Sequence, residues 1–552
     1  MKRTHLPLML LVNSLFCFSQ QAPVLRSTTE MVLVPAVVTD SHDRPRSGLT
    51  CANFAIFDNG VEQQPVSCDE IAPRTAPPPA LVRPETHHTN RPGQSGAQGL
   101  LIFALDFVNS PVGDVVRMRA AALRFLSSNA PPDQPIEVLA LTWNEVRVIH
   151  PFTADNRVLL AAIDRVLKRD GHRSAGHDVD EHLVSIEANA MAGAPALDAG
   201  EDPHAPHSAH DDAAYGRAMQ WHFVMPTLKN LEEIANGFAG VPGRKALLWA
   251  SSGFPFAVPD PTSGLGVAPL PHLDYEFVEK YNQLWKTLNG ANIAVYPVSL
   301  TGISGRSDYN YDASIRPPTH PANVSDSIPL YDREAQTKQT FLTFASATGG
   351  VACVENNDIA GCFRKAAADA QSYYLLTFRV DRSHAQPGWH KLKVRVNEAG
   401  TKVRARSAYF LQSAGAAPGQ SPEVEQMLAA RSQLQYTGVL FEVAWEQPQH
   451  PLHPSDVGFA VTIPPDGVPT SPSGPLNLRI SAVPLGDSGP LLTLQDPIHL
   501  HLEEPAVSQF RQAGVSVHGQ LALPPGCNSV KFLIRDESSG AIGSLEVPIK
   551  GT

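Results

Sequence analysis

The chain has 552 residues, and at about 150 residues per domain it has room for several domains. Hydrophobic residues make up 43% and charged residues 18%, which allows large buried cores, while 49 prolines argue for turns, linkers and β-architecture and 39 glycines are too few for collagen. The net charge of −11 and the lack of any basic run argue against a general nucleic-acid binder, which needs clustered Lys and Arg to neutralise phosphate.

Lys2 and Arg3 precede a largely apolar stretch from Leu6 to Phe18, and the small residues Cys17 and Ser19 stand at −3 and −1 of a cut before Gln20. This is the pattern of a secretory signal peptide over residues 1–19. The stretch is short for a membrane span, which takes about 20 residues. The alternative is an uncleaved anchor. No later segment reads as a membrane helix. Export permits disulfides. Cys51 with Cys68 and Cys353 with Cys362 are the economical pairings, 17 and 9 residues apart, and Cys527 is left over. Buried free thiols are the alternative, because spacing does not fix connectivity.

Residues 30–71 read as a small β-module: MVLVPAVVT is Val-rich, Asp40 to Pro45 is a turn, and Asp58-Asn59-Gly60 signals a hairpin. Residues 72–99 are rich in Pro, Thr, His and Gly and read as a linker. Over 100–380 the pattern changes to short apolar runs alternating with amphipathic helices. LLIFALDF (100–107), the run 136–143, ALLWAS (246–251), NIAVYPVSL (292–300), 351–354 and 372–380 are the expected strands. Helices are expected over 115–126, 156–168, 225–238, 274–288, 336–347 and 358–370. The expected fold class is α/β, with a mostly parallel sheet covered by helices on both faces. Insertions interrupt it at 170–222, which holds seven of the 21 histidines, and at 303–334. Tail strands over 385–412 are expected to pack on the preceding domains, and a short helix and repeated strands over 423–552 predict a C-terminal β-sandwich.

The α/β segment resembles a von Willebrand factor A domain. The arrangement over residues 30–411 resembles the secreted VWFA-related proteins of acidobacteria. The resemblance is carried by LVPAVVTDSHDRPRSGLTCANFAIFDNGVEQ, LIFALDFVNS, GRKALLWASSGF, NIAVYPVSLTG, TFASATGGVACVENNDIAGCFRKAAADAQSYYLLTF, WHKLKVRV and VRARSAYF. It implies a Rossmann-like sheet with a ligand site at the carboxyl ends of the parallel strands, where loops and helix N-termini converge. In metal-binding A domains the first strand ends in DxSxS, and a Thr and a second Asp come from later loops. Such an oxygen set suits Mg²⁺. Here the pattern is degraded: Asp106 matches the first Asp and Ser110 the second Ser. Val108 replaces the first Ser, and the fourth strand ends in Ser251-Ser252-Gly253 where TDG is usual. The Thr has no position in this reading, because its loop is replaced by the His-rich insertion. The expectation is that Asp106, Asn109, Ser110, Ser251 and Ser252 form a hydrogen-bonded, partner-binding site without metal; the alternative is Mg²⁺ held by Asp106 and Ser110.

Other chemistry is sparse. His204, His207 and His210, followed by Asp211 and Asp212, have the residue types of a zinc or nickel site, but Pro203 and Pro206 prevent a regular helix, so a solvated loop is the plainer reading. Neither GxSxG, HExxH, a P-loop nor GxGxxG occurs. Glu232-Glu233 is expected on solvated surface. The functional expectation is an exported, non-enzymatic protein that binds a protein or cell-surface partner, free of cofactor, in the periplasm, the outer envelope or the medium. The alternative is a metal-dependent hydrolase that uses the His-rich insertion.

Overall fold

The structure, a computed structural model, describes residues 29–73, 87–91, 99–110, 112–128, 134–169, 224–254, 258, 260–261, 275–302, 330–381, 385–411, 421–447, 456–468, 475–487, 489–491 and 497–549. The signal peptide expected over 1–19, the insertion over 170–222 and most of that over 303–334 lie outside these residues.

The N-terminal segment forms β1 (Thr29–Thr39), β2 (Phe54–Asp58), β3 (Val61–Gln63) and β4 (Pro65–Ile71), followed by β5 (His87–Thr89). The middle of the chain forms β6 (Leu100–Asp106), α1 (Val112–Ser128), β7 (Ile136–Leu141), β8 (Val146–Thr153), α2 (Asn156–Arg169) and α3 (224–237). It continues with β9 (Lys245–Ser251), α4 (Tyr275–Gly290), β10 (Ile293–Ser299), α5 (Leu330–Thr348) and α6 (Ile359–Gln371). Next come β11 (Tyr373–Asp381), β12 (Gly388–Val396), β13 (Lys402–Arg404), β14 (Ala408–Leu411) and α7 (Pro422–Arg431). The C-terminal part holds β15 (Glu442–Glu446), β16 (Asp456–Ile463), β17 (Leu476–Gly486), β18 (Gly489–Pro490), β19 (Ile498–Leu502), α8 (Ala506–Ala513), β20 (Val515–Ala522), β21 (Ser529–Asp536) and β22 (Ile542–Pro548). The fold is therefore mixed α/β with several sheets.

The central sheet has the order β10-β9-β6-β7-β8, parallel except for β8. β8 turns back through a hairpin closed by Thr142 N–H donating to the Glu145 carbonyl at 3.1 Å. β6, β7, β9 and β10 are buried along their whole length. Alternation sends their side chains to two cores. Ile102, Ala104, Leu247 and Trp249 meet α3, α4 and α5 through Leu231, Trp285 and Phe344. Leu101, Phe103, Leu248 and Tyr296 meet α1, α2 and α6 through Phe125, Ile163 and Phe363. Continuous apolar strands follow from this double cover.

Several sequence expectations are corrected. The strand expected over 351–354 is a single bridge: Cys353 N–H donates to the Pro297 carbonyl at 2.8 Å, and Ser299 N–H to the Cys353 carbonyl at 2.9 Å. Helix α5 starts at Leu330, inside the expected insertion 303–334. β11, expected to end the α/β sheet, pairs antiparallel with β1 and β4 instead. It presents Tyr374, Leu376, Phe378 and Val380 to a separate core with Val34 and Ile56. The N-terminal strands and β11 to β14 thus make one two-sheet module, with sheet orders β13-β1-β11-β4 and β14-β12-β2-β3. The α/β body, residues 100–371, is inserted into it. The Cys51–Cys68 disulfide lies within this module, with Cα atoms 5.3 Å apart.

The expected linker 72–99 also carries structure. β5 pairs with β15, and the next residue, Asn90, is 2% exposed. Its Nδ2 donates to the carbonyls of Tyr436 and Val439 at 2.8 and 2.7 Å, and its Oδ1 accepts from Phe441 N–H at 2.9 Å. The C-terminal part forms two sheets, β20-β16-β15-β5 and β18-β17-β21-β22, with β19 beside β17, over a core containing Phe459, Ile480 and Phe532. This part meets the α/β body closely. Thr437 Oγ1 donates to the Gly237 carbonyl at 2.7 Å, and a Cβ on Gly240 would stand 1.6 Å from the Thr437 carbonyl oxygen, so only glycine fits. Glu233, expected on solvated surface, lies half-buried at this junction and accepts the Ser432 hydroxyl at 2.5 Å. Burial raises its carboxyl above the ordinary value.

Candidate functional site at the strand ends

β6 is six apolar residues ended by one carboxylate. Alternation puts Asp106 on the face of Ile102 and Ala104, where it is fully buried. The chain bends at once, and the bend is closed on that carboxylate. Val108 N–H and Asn109 N–H donate to Oδ1 at 2.9 and 3.0 Å. Oδ2 accepts Asn109 Nδ2 at 2.8 Å and Trp249 Nε1 at 2.9 Å. Burial pushes the Asp106 carboxyl above the usual range, and the hydrogen bonds from Asn109 and Trp249 oppose that push.

The surrounding loops are tied to the same point. Asn109 Nδ2 also donates to Thr227 Oγ1, in the first turn of α3, at 2.9 Å. Ser110 Oγ accepts Ser252 N–H at 3.1 Å, which joins the end of β6 to the end of β9. Ser251 Oγ donates to the Gly253 carbonyl and accepts Gly253 N–H, both at 3.3 Å. Ser252 Oγ is buried and has no hydrogen-bond partner among the described residues. At the end of β10, Ser299 and Thr301 share a hydroxyl bond of 2.8 Å, and Arg117 Nη1 donates to the Leu300 and Thr301 carbonyls at 3.3 and 3.2 Å. The Cys353–Cys362 disulfide, with Cα atoms 6.0 Å apart, spans the loop that leads into α6.

These residues do not fit a divalent cation. A cation needs lone pairs, yet Asp106 is met by N–H hydrogens on both oxygens. Val108 contributes a backbone donor and a buried apolar side chain where the metal-binding pattern has a hydroxyl. Ser252 stands where that pattern has its second carboxylate. Among the described residues no group of three His, Cys, Asp or Glu side chains converges on a metal position. His204, His207 and His210 lie outside them.

Asp106, Asn109, Ser110, Ser251 and Ser252, all named from the sequence, come together at one place. Trp249 and Thr227 were missed. Trp249 was legible, since it is two residues before Ser251 on the strand next to β6 and pairs with Ala104. Thr227 was not, because nothing in its spacing ties a residue more than 100 positions away to Asn109. The arrangement fixes the loops after β6 and β9 as one rigid rim. Asp106 is engaged on both oxygens, so it cannot also take a proton from a serine hydroxyl, and no histidine joins these groups among the described residues.

No family model and no curated protein matches the sequence. Among solved structures, an aerotolerance-related membrane protein from Bacteroides fragilis NCTC 9343, carrying multiple mutations to serines, matches 49% of this chain and 98% of its own at 9% identity with a TM-score of 0.22. A likeness this distant carries no argument about fold or function.

Proposed function

We propose that the chain is an exported, non-enzymatic protein of the VWFA-related type, whose α/β body binds a protein or cell-surface partner through its strand-end loops without a metal. The observation that carries the reading is the closed Asp106 network. At the carboxyl end of the central strand, where open α/β sheets hold ligands, the carboxylate is spent on holding two loops in place. The sheet order, with β6 central and β8 antiparallel at the edge, agrees with the A-domain resemblance. Two disulfides and β-modules on either side of the α/β body suit an exported chain. No helix among the described residues is long and apolar enough to cross a membrane.

The test is binding of purified protein to native envelope fractions, with and without EDTA. Asn109→Lys and Ser252→Lys should each reduce binding about tenfold, as expected for charge placed at the rim of an interface. EDTA should leave binding unchanged. Binding that ignores both substitutions would refute the assignment of this face, and turnover of a hydrolase substrate that requires the His-rich segment would refute the non-enzymatic reading.

A further inference from the structure

A second surface lies two strands away from Asp106. Helix α2 has two worked faces. Leu159 and Ile163 are fully buried against the sheet. Val158, Ala161 and Arg165 face outward and, with Ile149 and His150 of edge strand β8, line a groove of ≈ 500 Å³. Val158 is 41% exposed, large for an apolar side chain. The rim carries Arg157, Arg165 and one carboxylate, Asp155, which leaves it with an excess of positive charge. Arg157 extends into solvent with only Asp155 beside it, and Arg165 has no ion-pair partner among the described residues. Residues 112–169 hold eight Lys and Arg against six Asp and Glu, in a chain of net charge −11. One of those six, Glu137, is buried, and burial raises its carboxyl to about 8.

An apolar floor between two arginines, beside a strand at the end of the sheet order, matches one kind of occupant. We propose that this groove docks an extended acidic segment of a partner protein. Its apolar side chains rest on Ile149, Val158 and Ala161, and its carboxylates pair with Arg157 and Arg165. Arginine suits carboxylate pairing through its planar fork of donors. The main-chain edge of β8, which no strand pairs among the described residues, offers an extended peptide further hydrogen bonds. A sulfated or phosphorylated polymer would use the cations and leave the apolar floor unused.

The experiment is fluorescence anisotropy of a labelled peptide of alternating Glu and Val, titrated with the full chain. Saturable binding is expected, weakening roughly tenfold as added salt shortens the Debye length from about 10 to 3 Å. Arg157→Glu with Arg165→Glu should abolish it, and Val158→Asp should weaken it about tenfold. These side chains are exposed, so circular dichroism should be unchanged. Asn109→Lys should leave peptide binding intact, which separates this surface from the strand-end site. Absence of saturable binding at low salt, or binding indifferent to the arginine and valine variants, overturns the proposal. Heparin that binds more tightly than the peptide, with the same arginine dependence and none on Val158, overturns the peptide assignment.

Discussion

Replacing Trp249 by Phe removes one N–H from the Asp106 carboxylate and retains an aromatic ring in the same core. Trp249 is fully buried, with ring centroids 5.3 Å from those of both Phe341 and Phe344, contacts that a phenyl ring largely keeps. The lost bond, 2.9 Å to a buried acceptor, is of the class worth about 1.5–3 kcal/mol. Trimming the indole adds about 1 kcal/mol of lost packing. A double-mutant cycle with Asp106→Asn separates the two terms, since packing loss is common to both backgrounds. The coupling energy should be about 1.5–3 kcal/mol. The assay is urea unfolding followed by total tryptophan emission, to which Trp285 contributes from the same core, its ring centroid 4.7 Å from that of Phe344. A coupling below about 0.5 kcal/mol would show that the Trp249–Asp106 bond does not hold the loop, and the account of the site would fail.

Other outcomes follow from the rest of the molecule. Glu137 is nearly fully buried, with its carboxyl raised from 4.5 to about 8, so the folded chain keeps a proton there that the unfolded chain releases. Stability is therefore full below the unfolded value and falls as pH rises toward 8, by about 1.4 kcal/mol per unit. Glu137→Gln should remove that slope in unfolding curves taken from pH 5 to 8, and an unchanged slope would refute it. Asn90→Ala removes the side-chain partner of the Val439 carbonyl and the Phe441 N–H, while the Tyr436 carbonyl keeps the Ser544 N–H at 2.8 Å, and should cost about 2–4 kcal/mol. Hydrogen exchange should show loss of protection confined first to residues 436–441. Cys353→Ser with Cys362→Ser opens a short loop and should destabilise the α/β body by about 2–3 kcal/mol in urea unfolding. Non-reducing peptide mapping that finds both native thiols free would remove the basis of that prediction.

The α/β body was legible because its strands are buried on both faces, and an unbroken apolar run such as LLIFALD is the pattern such double cover requires. Asp106, Ser110, Ser251 and Ser252 came instead from the resemblance to A domains, whose ligand positions fall at the ends of these strands. The boundary at 380 failed for a local reason. The run YYLLTFRV is apolar enough for the central sheet, and only its pairing with β1, more than 300 residues earlier, assigns it elsewhere. The strand in the expected linker failed the same way. Pro, His and Thr describe a solvated segment, yet Asn90 is fixed by groups about 350 positions on. Glu232-Glu233 was misplaced because a charge pair on a helix does not reveal that a second module covers it. Composition reports what a segment can do alone, whereas these contacts depend on distant chain returning to it.

The central claim is that the strand-end site is held by N–H donors and works without metal. Thermal unfolding in EDTA and in millimolar Mg²⁺, on the native chain and on Asp106→Ala, tests it most directly. The account predicts one melting temperature for the native chain in both conditions, and a loss of about 1–3 kcal/mol in Asp106→Ala that metal does not change, from donors left without an acceptor. A rise of several degrees with Mg²⁺ that disappears in Asp106→Ala would mean that the ion binds the folded site, and would contradict it.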